Sequence, residues 1–196
     1  AANLFYRRDG RILGDNSDAP GFLAGLALIQ VDWKSLSREA VVLGAGGSAR
    51  AVVYALVTSG WSITLLTRRI EQAQVLANSF RDFLPVDRIQ TKTLDEHVLR
   101  TLRADLVVNT TPVGMYPDVC CSPWPAQIPL PTSAIIYDLI YNPRNTVLLD
   151  QAYAQELPVI GGIHMLVEQA AISFERWTGL EAPRQAMLDA VQASTE

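Results

Sequence analysis

The chain has little lysine, almost no cysteine and no long apolar run. Of its 16 basic residues only Lys34 and Lys92 are lysines; the rest are arginines. The only cysteines are the neighbours Cys120 and Cys121. No C-x-x-C pattern, third cysteine or nearby histidine completes a zinc site, so no metal centre is expected. The pair reads as two reduced thiols in a cytoplasmic protein, with a strained vicinal disulfide as the alternative. No run of about 18 uncharged apolar residues exists, which excludes a membrane-spanning helix. No charged-then-apolar leader opens the chain. The net charge is -4, which argues against a nucleic-acid partner held by a basic field. Apolar material is ample: 49% hydrophobic against 18% charged over 196 residues. That is enough for a buried core in one domain, or one domain plus part of another. The first residue is Ala1 and the earliest methionine is Met115. Either an initiator was removed or the chain starts within a longer protein.

The opening predicts a hairpin. Residues 3–8 and 11–15 look extended, and Asp9-Gly10 between them is a strong turn signal. A helix follows, with Asp18 as its cap, Pro20 in its first turn, and Phe22, Leu23, Leu26 and Ile29 as its apolar face. Residues 31–38 read as a connector. Short apolar strands then alternate with helices. Strands are expected over 40–43, 62–66, 88–92, 105–109, 134–138 and 158–160. Helices are expected over 48–59, 71–83, 94–102, 145–155, 165–177 and 183–193. This rhythm means an α/β fold with a parallel sheet covered on both faces. Six strands point to the doubly wound, Rossmann-type order 3-2-1-4-5-6. The Pro-rich stretch 110–132 has no pattern of its own, and so long a loop is more often functional than accidental.

The strongest chemical signal is Gly44-Ala45-Gly46-Gly47-Ser48-Ala49, which reads G-x-G-x-x-A. Such a motif alone is weak. Here it follows an apolar strand and opens a helix, the context that its mechanism demands. Gly44 permits the tight turn, Gly46 lets a pyrophosphate approach the backbone, and Ala49 keeps helix and sheet close. The helix N-terminus offers free N–H groups and partial positive charge. About twenty residues on, an NAD site would carry Asp or Glu for the ribose 2′-OH. This chain carries Thr67-Arg68-Arg69 instead. Guanidinium groups grip phosphate in bidentate fashion, which points to NADP. Asn109, Thr110 and Thr111 follow the fourth strand of the alternation, where they would line the cofactor; plain turn chemistry is the alternative.

At this point the motifs resemble the shikimate dehydrogenase family of aromatic amino-acid biosynthesis. Ala2-Asn3 resembles its A-x-N-T segment, and the run from Gly14 to Gly21 its G-x-N-T-D-x-x-G. The glycine loop is similar to G-A-G-G-A-x-R-A, and Thr67-Arg68-Arg69 falls at N-R-T or N-R-S. The run from Asp138 to Pro143 fits D-x-x-Y-x-P, and that from Gly162 to Ala170 fits G-x-x-M-L-x-x-Q-A. The resemblance implies NADPH-dependent, reversible reduction of 3-dehydroshikimate to shikimate. It implies that Asp18 is half of a catalytic Lys–Asp pair and also meets substrate. Asn3 and Gln169 would bond substrate hydroxyls, and Tyr141 would stand near substrate and nicotinamide. Met165 would pack beside the nicotinamide, with Gly162 on the cofactor side. Without the family, Asp18 reads as a helix cap, Gln169 as a surface amide and Met165 as core.

Departures from the family pattern matter too. Its lysine lies in an N-V-T-x-P-x-K motif, which this sequence lacks; Lys34 and Lys92 stand in other contexts. Leu4 and Ser17 replace threonines, and His164 replaces a frequently small residue. The expected division is therefore 1–30 as part of a catalytic domain, 31–162 as the NADP-binding domain, and 163–196 returning to the catalytic domain. The chain alone should be inactive, with an exposed apolar surface at its joined ends. A small-molecule substrate and a monomer or homodimer are expected. The alternatives are a quinate/shikimate dehydrogenase, or a free-standing NADP-binding module without dehydrogenase chemistry. The order of Asn3, Asp18 and Gln169 argues against other two-domain NADP enzymes.

Overall fold

The computed structural model describes residues 2–30 and 36–194. Lys34 and most of the expected 31–38 connector lie outside the described residues. Strands β1 (Leu4–Arg8) and β2 (Arg11–Asp15) form the expected antiparallel hairpin, with Arg8 opposite Arg11. Asp9 and Gly10 both take positive φ, 49° and 77°, as a two-residue turn matched to strand twist requires.

The six-stranded sheet contains β3 (Glu39–Leu43), β4 (Ser62–Thr67), β5 (Ile89–Thr93), β6 (Leu106–Asn109), β7 (Ile135–Asp138) and β8 (Val159–Ile160). Its order is β5-β4-β3-β6-β7-β8, with every pair parallel. That is the expected 3-2-1-4-5-6 order, with its switch point between β3 and β6. Alternating side chains feed two cores. Val42, Leu65, Val108 and Tyr137 face one way, Val41, Leu43, Leu66 and Ile136 the other.

The helices are α1 (Asp18–Leu26), α2 (Gly47–Thr58), α3 (Ile70–Asn78), α4 (Glu96–Thr101), α5 (Val147–Ala154), α6 (Gly162–Thr178) and α7 (Arg184–Ser194). Three depart from the sequence pattern. Asp18 does not cap α1: Ser17 is the cap residue, and Asn16 Oδ1 takes the Ala19 N–H at 3.0 Å. Helix α3 stops five residues short of Phe83; the Ser79 hydroxyl bonds back to the Leu76 carbonyl and turns lead to Pro85. Helix α6 begins at Gly162 rather than Met165, capped by Gly161.

Helix α1 joins the first core. Its Phe22 is fully buried and stacks on Tyr137 with centroids 5.0 Å apart. Burying such a ring is worth roughly 1.5–3 kcal/mol. The long loop between β6 and β7 has no strand or helix, yet it is anchored. Trp124 is fully buried and donates Nε1–H to the Ile128 carbonyl at 3.0 Å. Gln151 Nε2 and Gln155 Oε1 on α5 and its end hold Ile128 and Leu130. Cys120 and Cys121 in this loop are free and exposed. Phe5 and Ile12 on the hairpin, with Trp177 and Leu180 at the far end of α6, are exposed, as expected of the joined ends.

Candidate functional site

The carboxyl ends of β3, β4 and β6 open on a crevice of about 660 Å³. The tight turn after β3 forms its floor. Gly44 has φ +104°, and a Cβ there would come within 2.8 Å of Thr110 Oγ1. Only glycine fits that position. The Gly44 N–H bonds the Leu66 carbonyl at 2.8 Å, and Thr110 Oγ1 bonds the Leu43 carbonyl at 2.6 Å. Helix α2 then starts with Gly46 at its cap, no side-chain cap bond and no acid in its first turn. A Cβ at Gly46 or Gly47 would meet nothing within 4 Å. The helix head therefore keeps backbone donors and an open approach.

Arg68 and Arg69 stand at the end of β4, both exposed and both lining the crevice. Thr67 Oγ1 bonds the Arg69 carbonyl at 2.7 Å and shapes their turn. Among the described residues neither arginine has an ion-pair partner. Of the residues expected on the cofactor, Gly44, Ala45, Gly46, Thr67, Arg68, Arg69, Thr110 and Thr111 line this crevice. Gly47 and Ser48 continue into α2, and Ala49 is buried against the sheet. Asn109, Gly162 and Met165 are buried and do not line it. Asn109 instead bonds Asp138 and Thr111, and Met165 joins the core.

A second polar cluster forms where the hairpin, α1 and α6 meet. Gly21 and Gly25 face α6 and allow close approach; a Cβ at Gly21 would fall 2.8 Å from the Gln169 backbone nitrogen. That approach brings residues at opposite ends of the chain together. Asn3 Nδ2 donates to Asp18 Oδ1 at 2.8 Å and to Ser17 Oγ at 3.1 Å, while the Ser17 N–H returns a bond to Asn3 Oδ1 at 2.8 Å. Ser17 Oγ reaches Gln169 Oε1 at 3.4 Å. Ser173 Oγ lies 3.1 Å from Ser17 Oγ and donates to the Gln169 carbonyl at 2.9 Å. Burial pushes the Asp18 carboxyl above its ordinary value, opposed by hydrogen bonds from Asn16 and Asn3. The cluster offers a carboxylate, two amides and hydroxyls, the groups that fix a polyol face. Three expected substrate residues, Asn3, Asp18 and Gln169, are thus assembled. Tyr141 stands apart in the β7–α5 loop, exposed, with no hydrogen bond to this cluster among the described residues. Ser173 was not legible as part of the site. Its only signal is a hydroxyl four residues after Gln169, one helical turn on.

A parallel sheet in this order, with a glycine-headed crevice at its switch point, defines a Rossmann-type α/β protein. Comparison with known proteins narrows the class. The profile of the "Shikimate 5'-dehydrogenase C-terminal domain" matches residues 162–192. The NADP(+) shikimate dehydrogenase of Salinibacter ruber is 39% identical over 98% of this chain and 68% of its own length. Shikimate 5-dehydrogenase of Thermus thermophilus, solved with NADP(H) and shikimate, superposes with a TM-score of 0.81 at 35% identity. It is covered over 68% of its length, by 99% of this chain. Quinate dehydrogenase of Corynebacterium glutamicum, solved with NAD, gives a TM-score of 0.80 at 29% identity, over 94% of this chain and 64% of its own. The chain belongs to the shikimate dehydrogenase family, and it spans about two thirds of the length of these relatives.

Proposed function

We propose that this chain forms the NADP-binding part of an enzyme that reversibly reduces 3-dehydroshikimate to shikimate. One observation carries the reading: a single scaffold holds both a glycine-headed crevice ending in two arginines without an ion-pair partner among the described residues and the Asn3–Asp18–Gln169 cluster. The crevice fits the cofactor. The open positions over Gly46 and Gly47 and the uncapped head of α2 suit a pyrophosphate. Arg68 and Arg69 suit a 2′-phosphate, where an NAD site would carry a carboxylate. Thr110 and Thr111 would border the part of the dinucleotide that crosses the switch point. Bound NADPH would supply the hydride.

The chain's own residues orient and exchange protons. Asn3 and Gln169 would bond ring hydroxyls of the substrate. Asp18, held at Oδ1 by Asn3, would serve as one half of the acid–base pair. Tyr141 would close over the substrate from the β7–α5 loop, with Gly162 and Met165 supporting the nicotinamide side from the head of α6. Residues 1–30 and 163–196 would belong to the catalytic domain, and 31–162 to the cofactor domain. The exposed Phe5 and Ile12 would then meet the rest of that catalytic domain. The family's lysine motif has no counterpart in this sequence. The chain by itself should therefore lack measurable turnover. It would act in the cytoplasm as a monomer or homodimer. Quinate is the second candidate substrate, favoured by the likeness to quinate dehydrogenase.

Calorimetric titration with NADP+ and NAD+ tests the reading. NADP+ should bind at least about tenfold tighter. Arg68→Ala should weaken NADP+ by about ten- to a hundredfold, the worth of one charge-assisted contact, and leave NAD+ unchanged. Equal affinities, or an indifferent Arg68→Ala, would refute it. Shikimate oxidation by the isolated chain would refute the claim that it is inactive alone.

A further inference from the structure

We propose that Asp138 is a positioning residue, whose buried carboxylate fixes the segments around the nicotinamide end of the crevice. The inference rests on the dinucleotide reading above and adds a residue to it. Asp138 ends β7, one strand from the switch point, and is fully buried. Its two oxygens collect three donors. Oδ1 accepts from Asn109 Nδ2 at 2.9 Å and from the Ile140 N–H at 3.0 Å; Oδ2 accepts from Thr146 Oγ1 at 2.6 Å.

Each donor belongs to a different segment. Asn109 is the last residue of β6. Its own Oδ1 takes the Thr111 N–H at 2.9 Å and the Thr111 hydroxyl at 2.7 Å. Thr110, Thr111, Pro112 and Val113 line the crevice. Ile140 immediately precedes Tyr141, and its carbonyl receives the Gly162 N–H at 3.1 Å at the head of α6. A Cβ at Gly162 would overlap the Leu139 carbonyl, so that junction has no slack. Thr146 caps α5 and accepts the Leu149 N–H at 3.3 Å while it donates to Asp138. One carboxylate thus ties the crevice loop, the Tyr141 segment and two helix heads to the end of one strand.

No lysine or arginine forms an ion pair with it among the described residues. A buried carboxyl without a cation is expensive. A neutral cap would serve the sheet at lower cost, but an amide cannot accept from all three donors in this geometry. With Arg68 and Arg69 at the β4 side, the crevice wall that Asp138 holds lies across the switch point, at the end away from the adenosine.

That asymmetry supplies the test. The intact chain and the variants Asp138→Asn, Thr146→Val and Thr146→Ser are titrated with NADP+ and with adenosine 2′,5′-bisphosphate. The second ligand carries only the adenosine end. Asp138→Asn and Thr146→Val should each weaken NADP+ by about tenfold, the effect of one lost charge-assisted bond. Adenosine 2′,5′-bisphosphate should change by less than about twofold, and Thr146→Ser, which keeps the hydroxyl, should bind like the parent. If Asp138→Asn fails to fold, Thr146→Val carries the comparison. Equal weakening of both ligands, or none, overturns the proposal while the dinucleotide reading stands. A parent chain that binds neither ligand overturns that reading, and this one with it.

Discussion

Tyr137→Phe should make the protein more stable. The Tyr137 ring is fully buried and stacks on Phe22, but its hydroxyl has no hydrogen-bond partner among the described residues. Burial, with the Glu168 carboxylate as a lesser cause, pushes the phenol well above its ordinary pKa, so it stays neutral. An unpaired buried hydroxyl costs about 1–3 kcal/mol, and its removal should return about 1 kcal/mol. For a chain of this size that is a rise in Tm of about 2–4 °C. Gly25 sharpens the argument, because a Cβ there would overlap the same hydroxyl oxygen. Gly25→Ala alone should cost about 1–3 kcal/mol of overpacking, against about 1 kcal/mol of helix propensity regained. With Tyr137→Phe in place, the nearest atoms to that Cβ are the ring carbon at 3.3 Å and the Met165 nitrogen at 3.5 Å. Gly25→Ala should then be neutral or stabilising, a coupling of about 2 kcal/mol. Urea unfolding of the four proteins measures the cycle. A loss of stability in Tyr137→Phe, or additive effects, would refute the account.

Two further outcomes are expected. Glu175 accepts from Arg184 at 2.6 Å and from the Ala182 N–H at 3.1 Å, which holds its carboxyl below the ordinary range. A lowered folded-state pKa gives stability that is present above the unfolded value and lost as pH falls through the folded one. Acidification should therefore release α7 early in hydrogen exchange, and Glu175→Gln should blunt that dependence; unchanged α7 protection in acid would contradict it. Ile12 is 79% exposed, so Ile12→Thr should change stability by less than about 0.5 kcal/mol. A marked loss of stability in urea unfolding would mean that the side chain is packed.

The sheet was legible because its strands are uninterrupted apolar runs and its first turn needs glycine. Periodicity and turn chemistry act within a few residues, so the hairpin and strand order emerged from local pattern. What was missed comes from side-chain contacts that apolar spacing does not show. Ser17 rather than Asp18 stands at the cap of α1 and Asn16 takes the Ala19 N–H, while Asp18 accepts from Asn3, fifteen residues back. The Asn109 amide donates to Asp138, 29 residues on, a contact that turn chemistry does not show. The end of α3 at Asn78 depends on a serine hydroxyl competing for a helix carbonyl, a contest that apolar spacing does not register. The glycine loop and the two arginines that line the crevice were legible because each is a short local motif at a strand end. The Ser17–Ser173 contact was not, because its partners are 156 residues apart.

That separation has a consequence for how the molecule is made. The strands and helices between residues 39 and 160 can pair in the order in which they leave the ribosome. The cluster that joins Asn3, Ser17 and Asp18 to Gln169 and Ser173 cannot exist until the last helices emerge. Until then the side of α1 that carries Gly21 and Gly25 stays uncovered, since its close neighbour α6 is still unwritten. A stalled or truncated chain would therefore keep the crevice at the head of α2 and lack the cluster of Asn3, Asp18 and Gln169.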